Sequence, residues 1–143
     1  MRIFLSAPFS SVYREQTGSV DPKFRDRLEK IITLIKEKNH ELISAHLREK
    51  WGKKRIHPNV FIPLDLKEIE ECDLVIAYLG HQPSGVYIEL GWASAFKKNI
   101  IIITEQPISQ LSPLIQGLNR ITKTIIINFR EESELLAKLA SVL

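Results

Sequence analysis

One cysteine, Cys72, stands among 143 residues. A lone thiol can close no disulfide within the chain and build no cysteine metal cluster, so the composition suits a reducing cytosol. Long apolar runs are missing as well. None approaches the roughly 20 residues of a membrane-spanning helix. The apolar start, Met1 to Leu5, soon meets Pro8, Ser10 and Arg14, and reads as a first strand rather than a signal peptide. The six glycines are scattered and form neither a dinucleotide-binding fingerprint nor a P-loop. No His, Asp or Glu grouping has metal-ligand spacing, no His neighbours Cys72 in sequence, and the serines lack a nucleophile-elbow context. No metal and no cofactor is therefore expected.

What is present is the balance of an ordinary globular domain: 44% hydrophobic and 26% charged residues, with a net charge of +3. The length suits one domain spanning residues 1–143. Acidic residues are interspersed with basic ones, so no nucleic-acid-binding stripe is read and no membrane partner is expected. Arg48, Lys50, Lys53, Lys54 and Arg55 form a basic cluster. It reads either as a solvated surface or as an attractor for a phosphorylated small ligand.

Short apolar runs alternate with helical periods, which predicts a parallel α/β sheet. Strands are expected at Ile3 to Ser6, Glu41 to Ala45, Leu74 to Leu79, Ile100 to Thr104 and Thr124 to Asn128. Helices are expected from Asp21-Pro22 to about Lys38, then over Leu64 to Glu71, Val86 to Lys98, Leu111 to Leu118 and Glu131 to Val142. Asp21 followed by Pro22 is an N-cap signature. Phe9 to Val20 and His46 to Phe61 read as long loops, and Gly80 to Gly85 as a turn. Five such strands predict a doubly wound, flavodoxin- or Rossmann-like sheet of order 2-1-3-4-5. Ligands bind such sheets beyond the carboxyl ends of the strands, where the winding reverses. The loops after Ile3 to Ser6 and Leu74 to Leu79 are thereby singled out.

Chemistry concentrates in Gln82 to Gly91. Glu89 lies near the first turn of a helix, where the dipole favours an ionised carboxylate suited to attack an electron-poor sugar carbon. The same residue could instead satisfy free amides at the helix start. Asp65 could supply the second carboxylate that glycosidic cleavage uses, or be the N-cap of its helix. Asp73 reads as structural. His46 could contact a ligand or bond to the backbone, and Trp51 could stack on a base or cover the core edge.

Three blocks resemble the nucleoside 2-deoxyribosyltransferase superfamily, and within it the cytidylate N-glycosidases and the 2′-deoxynucleoside 5′-phosphate N-hydrolases. They are Phe4-Leu5-Ser6-Ala7-Pro8-Phe9, Ala45-His46-Leu47-Arg48-Glu49-Lys50-Trp51-Gly52 and Ser84-Gly85-Val86-Tyr87-Ile88-Glu89-Leu90-Gly91-Trp92-Ala93-Ser94. The resemblance spans nearly the whole chain. It implies the same doubly wound fold, a homodimer or larger oligomer, and a nucleotide substrate. Glu89 is implied as the nucleophile, forming a covalent glycosyl ester that water or a second base resolves, and Asp65 as its assistant. The blocks supply Phe4, Ser6, Phe9, His46, Trp51, Ser84 and Gly85 as substrate-binding candidates. Leu111 to Gly117 resembles the segment that carries a phosphate-binding Ser on a neighbouring subunit, which implies Ser112; the alternative is a plain helix N-cap. Two positions depart from the pattern. Pro83 stands where monophosphate-cleaving relatives have Ser, and Ser10 where the hydroxymethyl-cytidylate enzyme has Arg. The expected activity is hydrolysis of a pyrimidine nucleotide, CMP first. Base exchange, a non-catalytic nucleotide sensor and an NAD-cleaving domain are the alternatives.

Overall fold

A computed structural model describes residues 1–143. In chain order its strands are β1 (Arg2–Ser6), β2 (Tyr13–Arg14), β3 (Ser19–Val20), β4 (Glu41–Ser44), β5 (Leu74–Tyr78), β6 (Asn99–Thr104) and β7 (Thr124–Asn128). The helices are α1 (Pro22–Glu37), α2 (Ala45–Arg48), α3 (Pro58–Glu71), α4 (Ser84–Ala95), α5 (Pro113–Gln116) and α6 (Glu132–Val142). One five-stranded sheet, order β4-β1-β5-β6-β7, is parallel throughout. Counted along the chain, its strands lie in the expected order 2-1-3-4-5. No helix is long and apolar enough to cross a membrane.

Strand periodicity divides the core into two layers. Ile3 and Leu5 of β1 join Ile76 and Tyr78 of β5 beneath α1 and α6, against Leu28, Ile31, Ile35, Leu135 and Leu139. Phe4 of β1 joins Val75 and Ala77 on the opposite face, against Ile69 of α3 and Val86, Leu90 and Ala93 of α4. Alternate residues of a strand face opposite sides of the sheet, so Ser6 must share the face of Phe4 and look towards α4. All five residues of β5 are buried, as a central strand covered on both faces requires. Each large aliphatic side chain so buried contributes roughly 1.5–3 kcal/mol.

Several boundaries differ from the sequence expectation for identifiable reasons. Phe9 to Val20 is not featureless: β2 and β3 pair as a small antiparallel hairpin within it. Its alternation is too short to register as a period. The His46 to Phe61 segment opens with α2 and a 3-10 turn over Lys50–Gly52, and its last residues already belong to α3. The sequence pattern predicts a helix beginning at Leu64. Instead α3 starts at Pro58, with the His57 ring accepting from the Asn59 amide at 3.2 Å, and accommodates Pro63 in its second turn. The expected Leu111 to Leu118 helix shrinks to α5 and a 3-10 turn at Leu118–Arg120. The N-cap at Asp21 is as expected, accepting from the Phe24 amide at 2.9 Å. Asp73 is structural and accepts from the Arg2 amide at 2.7 Å.

Between α2 and α3 the chain turns through three consecutive left-handed residues, Lys50 (φ 49°), Trp51 (φ 58°) and Gly52 (φ 91°). Two of the three are not glycine, so the turn is strained and needs outside support. Trp51 is buried, its carbonyl accepts from Ser19 at 2.9 Å, and the Arg25 guanidinium lies 4.8 Å from the centre of its ring. A Cβ on Gly52 would sit 2.8 Å from two ring carbons of Tyr13. Gly52→Ala is therefore expected to cost about 2 kcal/mol of stability, from positive φ and steric overlap together. Urea unfolding should show a lowered midpoint at unchanged slope; a midpoint equal to the parent's would mean that the Tyr13 hairpin moves aside freely.

Candidate active site

The carboxyl ends of β1 and β5 meet where the winding reverses. A cleft of about 310 Å³ opens there, walled by Ala7 to Ser11 after β1 and by Gln82, Ser84, Gly85, Val86 and Glu89 after β5. Helix α4 turns Val86, Leu90 and Ala93 into the core. Glu89, three residues beyond Val86, rides the edge of that same face and brings its half-buried carboxyl group into the cleft wall. Ser6, at the last position of β1, donates its hydroxyl hydrogen bond to Glu89 Oε2 across 83 residues of chain.

A second cluster lies behind the first. Asp65 is 3% exposed, well inside α3 and not at its start, so the N-cap alternative is excluded; His57 holds that position. Arg48 Nη2 donates to Asp65 Oδ1 at 2.5 Å and Nη1 to Glu68 Oε2 at 2.7 Å. The Arg48 Nε is buried without a partner. Arg48 thus leaves the basic cluster in which the sequence placed it and becomes the clamp of an acidic group, a role the sequence reading missed. The remaining cations of that cluster are exposed, and Arg55 stacks over Tyr13 with its guanidinium 4.7 Å from the ring centre.

Electrostatics here run opposite to the helix-dipole expectation. Burial raises the Glu89 carboxyl to about 7, helped by the negative charge of Asp65 and resisted by the Ser6 hydrogen bond and Arg48. Glu89 is therefore about half protonated at neutrality rather than fully ionised. Burial also raises Asp65 and Glu68 above the usual carboxylate range, with Arg48 opposing the shift in both. Arg48 bonds Asp65 and Glu68 and acts on Glu89 only through its charge, and a proton retained by one of the three carboxyl groups relieves the excess negative charge.

The other expected binding residues divide into those that line the cleft and those that build it. Phe9, Ser84 and Gly85 line it. Phe4, 1% exposed, is packed under the sheet, and a role in ligand contact does not fit that burial. Ser6 spends its hydroxyl on Glu89. His46, 1% exposed, lies in a ring cluster: 4.8 Å from Phe9, 5.7 Å from Phe24 and 5.7 Å from Trp51. Its Nε2 bonds the Pro8 carbonyl at 2.9 Å, and burial pushes it down to about 4. It is a neutral ring holding the Pro8-Phe9 loop, the backbone-bonding alternative. Trp51 covers the core edge instead of facing the cleft. Ser112, exposed at the start of α5, does not line the Glu89 cleft but an apolar groove whose lining includes Tyr87, Leu90, Ile115 and Leu118. Ser10, Ser11 and Gln82 line the cleft without having been singled out for that role.

The fold and site together define a doubly wound α/β protein with a buried carboxyl group at its switch point and a clamped carboxylate behind it. Among solved structures, the chain is similar to a Clostridium botulinum CMP N-glycosidase, BcmB, with 30% identity, full coverage of both chains and a TM-score of 0.76. It is also similar to BlsM, at 27% identity over 98% of this chain and 87% of that one, with a TM-score of 0.81. A 2-deoxyribosyltransferase from Bacillus psychrosaccharolyticus, 14% identical over 95% and 90% of the two chains with a TM-score of 0.61, shares the fold. No family model matches the chain, and no match is found among curated proteins. The chain belongs to the nucleoside 2-deoxyribosyltransferase superfamily, alongside the CMP N-glycosidases.

The raised Glu89 value has a consequence for stability. Between its ordinary value of 4.5 and about 7 the unfolded chain has lost this proton while the folded chain keeps it. The group therefore costs nothing below pH 4.5, and its cost grows to a maximum above pH 7. Glu89→Gln is expected to be more stable than the parent by about 2 kcal/mol at pH 8, with the gap closing near pH 4.5. Thermal unfolding of both proteins across that range checks it.

Proposed function

We propose that the protein hydrolyses the N-glycosidic bond of a pyrimidine nucleoside 5′-monophosphate, CMP foremost, releasing the free base and the sugar 5-phosphate. The observation that carries this reading is the Glu89 carboxyl group at the switch-point cleft, tied to Ser6 and backed by Asp65. The 30% identity to a CMP N-glycosidase supports the choice of nucleotide. In the first step an oxygen of ionised Glu89 bonds to the anomeric carbon while the C–N bond breaks, its electron pair leaving with the base. Asp65 assists departure of the base in this reading. A water molecule then bonds to the anomeric carbon as the ester C–O bond breaks, its proton goes to the departed base, and the Glu89 carboxylate is freed. Phe9 would bound the ligand on the β1 side. No side chain caps α4, and its first residues Ser84 and Gly85 border the cleft, a setting that suits a phosphate.

The active unit in this reading is a homodimer in the cytosol. Leu114, 83% exposed, and Ile121, 52% exposed, line an apolar groove of about 390 Å³. A second copy covering this groove would remove it from water and carry Ser112 to its partner's cleft. The superfamily resemblance motivates that contribution. Within one chain Ser112 lines the groove and not the Glu89 cleft.

A chromatographic screen of nucleotides and nucleosides for released base tests the activity. CMP should yield cytosine, and Glu89→Gln should lower the rate by roughly a thousandfold or more, the scale of losing a nucleophile. A 2-fluoro sugar analogue should label Glu89 in a peptide map. Near-parental turnover by Glu89→Gln would end the covalent scheme, and base exchange without net hydrolysis would assign a transferase.

The shared site is tested separately. Ser112→Ala should raise KM for the monophosphate roughly tenfold while barely affecting the matching nucleoside, because only the former loses a phosphate contact. Mixing inactive Glu89→Gln and Ser112→Asp chains should restore part of the activity. A fully active monomer in sedimentation analysis would overturn the shared site and leave the Glu89 assignment standing.

A further inference from the structure

We propose that Ser6 is a positioning residue for this reaction: its hydroxyl holds one oxygen of Glu89 at the end of β1 and leaves the other to meet the anomeric carbon. The role rests on the hydrolase reading above. Three observations converge on it. Ser6 is 2% exposed, so its hydroxyl needs a partner inside the protein. Its register, opposite Ala77 of β5, places it at the switch point itself. Its bond to Glu89 Oε2 is the hydrogen bond that the carboxyl group receives from the chain, joining β1 to α4.

The charges around Glu89 make this bond consequential. Asp65 on α3 and Arg48 on α2 act on it with opposite signs, and Glu68 on α3 shares the same guanidinium as Asp65. Neither Asp65 nor Arg48 bonds to it directly; the two are bonded to each other. Orientation of the carboxyl group therefore falls to Ser6. A donor also favours the anion over the acid and so opposes the effect of burial, which is the first cause of the raised Glu89 value. A side chain that only filled space at this position would do neither.

Removing the hydroxyl should leave Glu89 folded in place but harder to ionise. The test compares the parent with Ser6→Ala and Ser6→Thr, using base release from CMP across pH 5 to 9 and 13C NMR titration of labelled glutamate in the unliganded protein. Glu89→Gln identifies the Glu89 signal. In Ser6→Ala the Glu89 midpoint and the acid limb of kcat/KM should both move up by about one pH unit. The rate at pH 6 should fall about tenfold and largely recover by pH 9, with KM changed less than about threefold. Ser6→Thr, which keeps the donor, should restore both curves. An unmoved Glu89 midpoint, or an equal loss at every pH, would overturn the proposal. Should Ser6→Ala not fold, Ser6→Cys, a weak donor of similar size, is read by the same two curves. If the parent releases no base from any nucleotide, the hydrolase reading fails and the reaction role with it. The NMR titration then still decides whether Ser6 sets the ionisation of Glu89.

Discussion

A carboxyl group placed where a parallel sheet reverses its winding must be kept partly out of water and still be able to ionise, and much of this structure is arranged around that conflict. Burial penalises the charged form of Glu89, and the Ser6 hydroxyl and the more distant Arg48 charge relieve part of the penalty. The outcome is a group near its midpoint at neutrality. In the hydrolysis proposed above, such a group would be available as an anion without being heavily solvated. The same residue is a stability liability above neutral pH, where it is ionised in the unfolded chain and penalised by burial in the folded one.

The fold surrounds this group with a second set of charges that is balanced only as a set. Arg48 reaches Asp65 and Glu68 with separate arms of its fork, which a lysine point charge could not do. Burial of a pair is costly, and removing one partner is costlier still, because the other charge is then left without compensation. Asp65 is consequently locked in position relative to α2, and its field reaches Glu89 from a fixed direction.

Uncharged packing holds the other wall of the cleft. His46 stays neutral because burial pushes it down to about 4, and holding it neutral costs stability that grows as the pH falls from 6.5 towards that value, where the unfolded chain would take up the proton. As a neutral ring it sits among Phe9, Phe24 and Trp51 and bonds the Pro8 carbonyl. The loop that carries Phe9 into the cleft is thus anchored by a ring from the segment after β4. Trp51 can occupy its place only through the left-handed turn that ends at Gly52, where the Tyr13 ring leaves no room for a side chain. Strain in that turn and the shape of the cleft are one structural decision.

Sequence periodicity by itself determined the five strands, their parallel order, the Asp21 cap and the position of Glu89 beside the switch point, because each depends on local pattern or on general rules of winding. It also placed Asp65 among the candidates, though at a helix start that lies well inside α3. Tertiary structure alone decided that Ser6 would bond to Glu89 instead of a ligand, that Arg48 would clamp Asp65, and that Phe4, His46 and Trp51 would be packed away from the cleft. Periodicity reports which face of an element a residue occupies and says nothing of its partner. Ser6 could be assigned to the face of Phe4, but only the packing of α4 across that face brings Glu89 to it, over 83 residues of chain. The ionisation of Glu89 follows from the same cause: the helix dipole is a local property, whereas desolvation is set by everything that folds around the group.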